Sequence, residues 1–132
     1  MLLTKECDYA VRIVRALSDY EKRQVKSLCD MEHIPLQFAY KILKKLERGG
    51  IVASYRGTNG GYKLTKELNQ ITLYDIFTSM DDNALYISEC LRPERTCPNN
   101  VGGDPCKVHI GLKEFQDSLI NAFKGKTMDL FC

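Results

Sequence analysis

The stretch Pro35–Leu64, PLQFAYKILKKLERGGIVASYRGTNGGYKL, leaves few folds open to this chain. On a helical wheel Gln37–Arg48 splits into two arcs. Phe38, Ala39, Ile42, Leu43 and Leu46 form the apolar one; Gln37, Tyr40, Lys41, Lys44, Lys45 and Arg48 form the other, with Glu47 at its edge. Pro35 suits the opening of this helix and Gly49-Gly50 its end. IVASYR is then rich in strand formers, and Thr58-Asn59-Gly60-Gly61 has the chemistry of a hairpin turn. A basic helix followed by a hairpin tipped with Arg56 predicts a winged helix-turn-helix. In that arrangement the helix enters a major groove and the wing meets flanking backbone or minor groove. A basic helix face alone is often only a solvated face; the attached wing is what makes double-stranded DNA the expected partner. Lys41, Lys44, Lys45 and Arg56 are placed to neutralise phosphates or enter a groove. Gln37 and Tyr40 are placed to touch base edges, and Thr58 and Asn59 stand at the wing tip.

The charge distribution agrees. Net charge is only +2, yet residues 1–66 carry thirteen Lys and Arg against seven Asp and Glu, and residues 67–132 carry six against ten. The basic half contains the reading helix, which favours a polyanionic partner. No apolar run approaches ~18 residues, so no membrane span is expected. The charged opening MLLTKECDYAVR lacks a signal-peptide core, and a cytoplasmic protein is expected. Six cysteines in a reducing compartment argue for metal or redox chemistry over disulfides.

Around the central stretch, Thr4 is expected to cap a helix reaching about Tyr20, with Ala10, Ile13, Val14 and Leu17 inward. Residues 21–24 read as a polar link, and Val25 to His33 as a short helix in which Cys29 and His33 are packing or surface residues. ITLYDIFTSM predicts a further helix capped by Thr72, with Tyr74, Ile76 and Phe77 inward. A short helix near Leu85–Cys90 and a loop follow. Asp104-Pro105 is expected to open a long last helix. There Val108, Leu112, Phe115, Leu119 and Ala122 recur at alternating steps of four and three, a heptad seam favouring a homodimer, with Phe123 widening it. KTMDLFC reads as a final turn. The expected fold is mainly α with a small β-hairpin wing. The expected division is a winged helix-turn-helix over 1–80, then a cysteine loop and dimerisation helix over 81–132.

Cys90, Cys97 and Cys106 are followed by His109, three residues after the last cysteine and on the same helix face. Zinc sites usually offer two close ligand pairs, and here there is one. Three thiolates on a loop suit an iron–sulfur cluster, though zinc and free thiols remain open from the residues alone. There is no C-x-x-C redox pair, phosphate-cradling loop or recognisable acid–base frame, so an enzyme is not expected. A thiol or iron–sulfur carrier is the alternative from another class.

The opening LTKECDYAVRIV, the segment above with its wing motif Arg56-Gly57-Thr58-Asn59-Gly60-Gly61-Tyr62, the ITLYDI helix and the three late cysteines together resemble the Rrf-two family. This is the group of bacterial winged-helix regulators that includes the iron–sulfur cluster regulator and the nitric-oxide-sensing repressor. The resemblance covers nearly the whole chain. It implies a homodimer with crossing C-terminal helices, a dyad-symmetric operator, and a [2Fe–2S] or [4Fe–4S] cluster on Cys90, Cys97 and Cys106. It also implies that DNA affinity, most often in repression, follows redox state, iron–sulfur status or nitric oxide. A cluster-free regulator of the same family is the runner-up. The fourth ligand in the family is either a histidine three residues after the last cysteine or an aspartate near the partner's N-terminus. His109 and Asp8 stand at those two places, and Asp8 is favoured, with a simple Asp8–Arg12 ion pair as the competing explanation. Family members commonly space the cysteines by five residues, whereas the gaps here are six and eight. Tyr40 stands where the family has an operator-discriminating glutamate.

Overall fold

Thr4 starts the first helix. Its hydroxyl accepts from the Cys7 N–H at 3.2 Å, and Glu6 and Asp8 lie in the positive first turn of α1 (Lys5–Ala16). The structure, a computed structural model, describes residues 3–100 and 102–132. Met1 and Leu2, in the expected first domain, and Val101, in the expected cysteine loop, lie outside the described residues.

α1 ends at Ala16, short of Tyr20. Tyr20 takes a left-handed conformation, φ 63°, and the Asp19 carboxylate accepts from the Glu21 N–H at 3.0 Å. The chain thereby reverses, and residues 21–24 become more than a link. Arg23 pairs with Tyr62 through Arg23 N–H to Tyr62 O (2.9 Å) and Tyr62 N–H to Arg23 O (2.8 Å), a third rung beside the wing.

α2 (Val25–Glu32) stops at His33, whose φ of 56° ends the helix. α3 (Leu36–Arg48) fully buries Ala39, Ile42, Leu43 and Leu46. Phe38, expected in the same arc, stands at its rim, 39% exposed, in a T-shaped pair with Tyr9 at a centroid distance of 5.9 Å. β1 (Val52–Tyr55) and β2 (Gly61–Leu64) pair antiparallel in the register Val52–Leu64 to Tyr55–Gly61. The glycine at 61 has a physical cause. Its φ is +154°, and a Cβ there would run into the Arg23 carbonyl of the adjoining segment.

α4 (Leu73–Met80) opens with a reciprocal cap. The Asp75 N–H meets the Thr72 hydroxyl at 3.1 Å, and the Thr72 N–H meets the Asp75 carboxylate at 3.0 Å. Ile76, Phe77 and Met80 are buried, but Tyr74 is only half-buried, with the Lys124 ammonium 4.6 Å over its ring. The short helix expected near Leu85–Cys90 does not form. The Ile87 N–H, which a helix would need, is taken by the Gln116 carboxamide at 3.1 Å, and only a 3₁₀ turn at Glu89–Leu91 remains.

α5 spans Lys107–Lys124 and opens at Cys106, not at Asp104-Pro105. The Cys106 N–H donates to the Asn100 side chain at 3.0 Å, which holds Cys106 extended ahead of the first turn. The heptad positions divide. Phe123 packs on Phe77, centroids 4.9 Å apart, and Leu119 is half-buried, while Val108 and Phe115 are 67% and 57% exposed. After Gly125 the chain turns back, with Leu73 N–H to Lys126 O (2.9 Å) and Met128 N–H to Ile71 O (2.8 Å). Met128, expected only in a terminal turn, is fully buried in the core with Ile13, Leu17, Ile42, Leu46 and Ile76.

Candidate nucleic-acid interface and cysteine hollow

α3 holds its polar arc outward because its apolar arc is locked against α1, α2 and α4. Gln37, Tyr40, Lys41 and Lys44 are exposed, as are Arg56, Thr58 and Asn59 on the wing. A cleft of about 560 Å³ runs between the two and is lined by Tyr40, Tyr55, Arg56, Gln24 and Lys26, among others. Gln24 and Lys26, absent from the expected set, also line this cleft. They stand at the N-terminus of α2, whose first N–H groups have no partner within the helix, a place suited to a phosphate. The signal available in sequence was a lysine in the first turn of the helix before the reading helix. Lys22 adds a cation 5.3 Å from the Tyr55 ring centroid.

Lys45 requires a correction. Its ammonium lies 2.5 Å from the Glu6 carboxylate and donates to the Met80 carbonyl at 2.8 Å, with the side chain 22% exposed. It points into the protein and does not share the face of Lys41 and Lys44. The wheel position is ambiguous because a lysine stem spans several ångströms and follows whichever acceptor it finds.

At the other end, Cys90, Cys97 and His109 line one hollow of about 340 Å³ with Arg92, Arg95 and Asn100. His109 Nδ1 is buried and has no hydrogen-bond partner among the described residues. The Cys90 thiol lies 3.3 Å from the Ser88 hydroxyl. Cys106 caps α5 beside this hollow without lining it. Asp8 lies elsewhere. Both its oxygens meet Arg12 Nε, at 3.0 and 3.2 Å, on an exposed flank of α1, and it borders a different hollow with Val11, Phe77 and Phe123. Among the described residues no three His, Cys, Asp or Glu side chains are gathered closely enough to hold a metal ion. The donor chemistry nonetheless suits a thiophilic metal group, and the orphaned His109 nitrogen is a ligand atom without another occupation. Cys7 and Cys29 belong to the core. Burial pushes both thiols up from the ordinary range, at Cys7 against a Thr4 hydrogen bond that pulls the other way.

A winged helix-turn-helix with a cysteine-bearing segment and a long last helix matches one family throughout. The sequence model of Rrf2, described as an iron-dependent transcriptional regulator, covers residues 3–132. The chain belongs to the Rrf2 family. Relatives include the protein aau3 of Rhizobium meliloti, 30% identical over 98% of this chain and 83% of that protein. The HTH-type transcriptional regulator IscR of Pectobacterium atrosepticum is 27% identical over 98% of this chain and 77% of its own. The regulator NsrR of Shouchella clausii is 31% identical over 74% of this chain and 67% of its own. The solved structure of CymR, the global cysteine regulator of B. subtilis, superposes with a TM-score of 0.73 over 96% of this chain and 92% of that chain, at 19% identity. As an Rrf2 protein the chain is a DNA-binding transcriptional regulator and not an enzyme. Its fold is the expected one, mainly helical with a two-stranded wing. Among the described residues no helix is long and apolar enough to cross a membrane.

Proposed function

We propose that this Rrf2 protein is a cytoplasmic homodimeric repressor that reads a dyad-symmetric operator, with an affinity controlled by an iron–sulfur cluster. One observation carries the cluster: Cys90, Cys97 and His109 line the same hollow, and His109 Nδ1 is buried without a hydrogen-bond partner among the described residues. Cys90, Cys97 and Cys106 are the thiolate ligands in this reading, and His109 is preferred to Asp8 as the fourth. Asp8 already has Arg12, and on its own chain it borders another hollow. A bound cluster supplies electron exchange and an iron open to small reactive molecules. The rest is done by the chain. Gln37 and Tyr40 meet base edges, while Lys41, Lys44, Arg56, Thr58, Asn59 and the cleft-lining Gln24 and Lys26 hold the backbone. Segment 81–106 links α4 to α5, so its ordering changes how two reading heads are spaced. The dimer is supported by the exposed stripe of Val108, Phe115 and Ala122 on α5, beside small residues at Gly111 and Ser118.

A cluster-free regulator responding to a thiol compound is favoured by a different observation, that the three thiols are not gathered in a single chain. Anaerobic purification decides between the two. The cluster reading expects a coloured protein with bound iron that is lost in Cys90→Ala, Cys97→Ala, Cys106→Ala and His109→Ala but kept in Asp8→Ala. Colourless wild type with full DNA binding leaves the cluster-free regulator. For the DNA reading, log affinity should fall with log salt at about −0.9 per phosphate, and Arg56→Ala should cost about 1–3 kcal/mol if the wing enters a groove. A flat salt response removes that reading.

A further inference from the structure

Three elements meet at one atom in this fold. The Lys45 ammonium, from the second half of α3, is 2.5 Å from Glu6 Oε1 in the first turn of α1 and 2.8 Å from the Met80 carbonyl at the last turn of α4. Both partners of the ion pair are largely covered, with exposures of 22% and 24%. That Glu6 oxygen is buried, and among the described residues no hydrogen bond besides this ion pair reaches it. The Met80 carbonyl is one of the unpaired groups that end a helix, where a cation is favoured. Both contacts are charge-assisted, so the ammonium is gripped at its tip and not merely laid along a surface.

The neighbours of these contacts matter as much. Directly after Met80 the chain enters the segment that carries Cys90 and Cys97, and directly after Glu6 come Cys7 and Asp8. Lys44 precedes Lys45, and Lys41 lies one turn before it, both exposed on the reading face. A shift of the end of α4, or of the start of α1, therefore pulls on a side chain rooted in the reading helix.

We propose that Lys45 is a positioning residue that couples the cysteine segment and the start of α1 to α3, and that it makes no DNA contact. The inference rests on the DNA-reading role given to α3 above. The state of segment 81–106 reaches Tyr40, Lys41 and Lys44 through the Met80–Lys45 bond. Glu6 is the anchor against which that pull turns the helix.

The test uses the full chain, a duplex enriched from a random pool by the wild type, and an unselected random-sequence duplex. Lys45→Met and Glu6→Gln should each weaken binding to the enriched duplex by roughly three- to thirtyfold. The salt slope should stay at the wild-type value, and the double variant should be no weaker than either single one. Lys45→Arg, which keeps the charge and the reach, should recover most of the affinity. Lys44→Met, by contrast, should lower the slope by about 0.9 on both duplexes. A slope that drops in Lys45→Met as it does in Lys44→Met overturns the proposal, and so does a double variant whose loss is the product of the two singles. Amide exchange on the free chain reads the strut without DNA. The Asp81 and Ala84 N–H groups, bonded to Phe77 O and Asp81 O, should exchange faster in Lys45→Met and unchanged in Lys44→Met. Unchanged exchange in Lys45→Met overturns the proposal whatever the DNA result. A wild-type chain that enriches no duplex from the pool and binds none overturns the role of α3 in reading DNA, and the exchange result then still decides whether the strut exists.

Discussion

Helix α3 buries Ala39, Ile42, Leu43 and Leu46 completely between α1, α2 and α4, whereas no described residue of segment 81–106 is buried to that degree. The reading helix is held by apolar packing on one face, so it keeps its own shape and any pull through Lys45 turns it as a unit. Ala84 and Leu85 pack against the core, and beyond them the cysteine segment carries polar links: Ile87 N–H to Gln116, Cys106 N–H to Asn100, and Arg92 and Arg95 to Glu89. Such links are individually weak in water. A reader has to keep its shape, while a segment that reports a signal has to have more than one shape close in energy. Under the function proposed above, the two regions of this regulator divide along that line.

The comparison is broken most directly by truncation in each region. Ile42→Ala should lower the unfolding free energy by about 2–5 kcal/mol in a urea titration, because it opens a cavity in a closed core. Cys97→Ala should change it by about 0.5 kcal/mol or less in the metal-free protein. Equal losses would mean that the cysteine segment is as much part of the core as α3.

The second contrast lies within α5. Phe115→Glu should shift sedimentation from dimer to monomer, a loss of about 2 kcal/mol or more in association, with the fold of each chain intact. Leu119→Glu places a charge against the cavity lined by Cys7, Phe77 and Met80 and should lower thermal stability as well. A dimer that survives Phe115→Glu puts the subunit contact on another surface.

A smaller effect is expected from glycine. Gly61→Ala should cost about 1–3 kcal/mol, since the new methyl meets the Arg23 backbone in a conformation that side chains rarely adopt. Gly102→Ala, also at positive φ (+94°) but with open space around it, should cost about 1 kcal/mol or less. Denaturation of the two variants side by side measures the difference.

The smallest effect is in reactivity. At pH 8 the metal-free protein should be alkylated by iodoacetamide at Cys90, Cys97 and Cys106 well before Cys7 and Cys29. Burial raises the pKa of the two core thiols, so at a given pH a smaller fraction is thiolate, and that fraction climbs only as pH moves further up. Mass spectrometry of tryptic peptides gives the order. Early labelling of Cys7 would mean that α1 opens as readily as the cysteine segment.

Periodicity was enough to read α3 because a single apolar arc had to be covered, and Ile42, Leu43 and Leu46 are fully covered. Turn chemistry located the wing, since the Thr58-Asn59-Gly60 stretch falls in the reversal closed by Gly60 N–H to Gly57 O at 2.9 Å. The Thr4 and Thr72 caps were equally local, each a hydroxyl satisfying an N–H three residues on. Features decided by residues distant in sequence were not legible. Arg23 reads as part of a polar link until Tyr62 is beside it. Leu85–Cys90 reads as helix until Gln116 takes the Ile87 amide. Met128 reads as a tail residue until the chain folds back along Ile71.

The amino-acid sequence by itself determined the winged helix-turn-helix, the exposed Gln37, Tyr40, Lys41 and Lys44, and the set of late cysteines with His109. These depend on patterns within one or two turns of chain, where spacing alone decides which side chains share a face. Only the tertiary structure decided that Lys45 turns inward to Glu6 and Met80, that Gln24 and Lys26 border the reading cleft, and that His109 rather than Asp8 shares a hollow with Cys90 and Cys97. A long side chain or a loop ligand takes its place from the nearest available partner, and in each case that partner is supplied by another element of the fold.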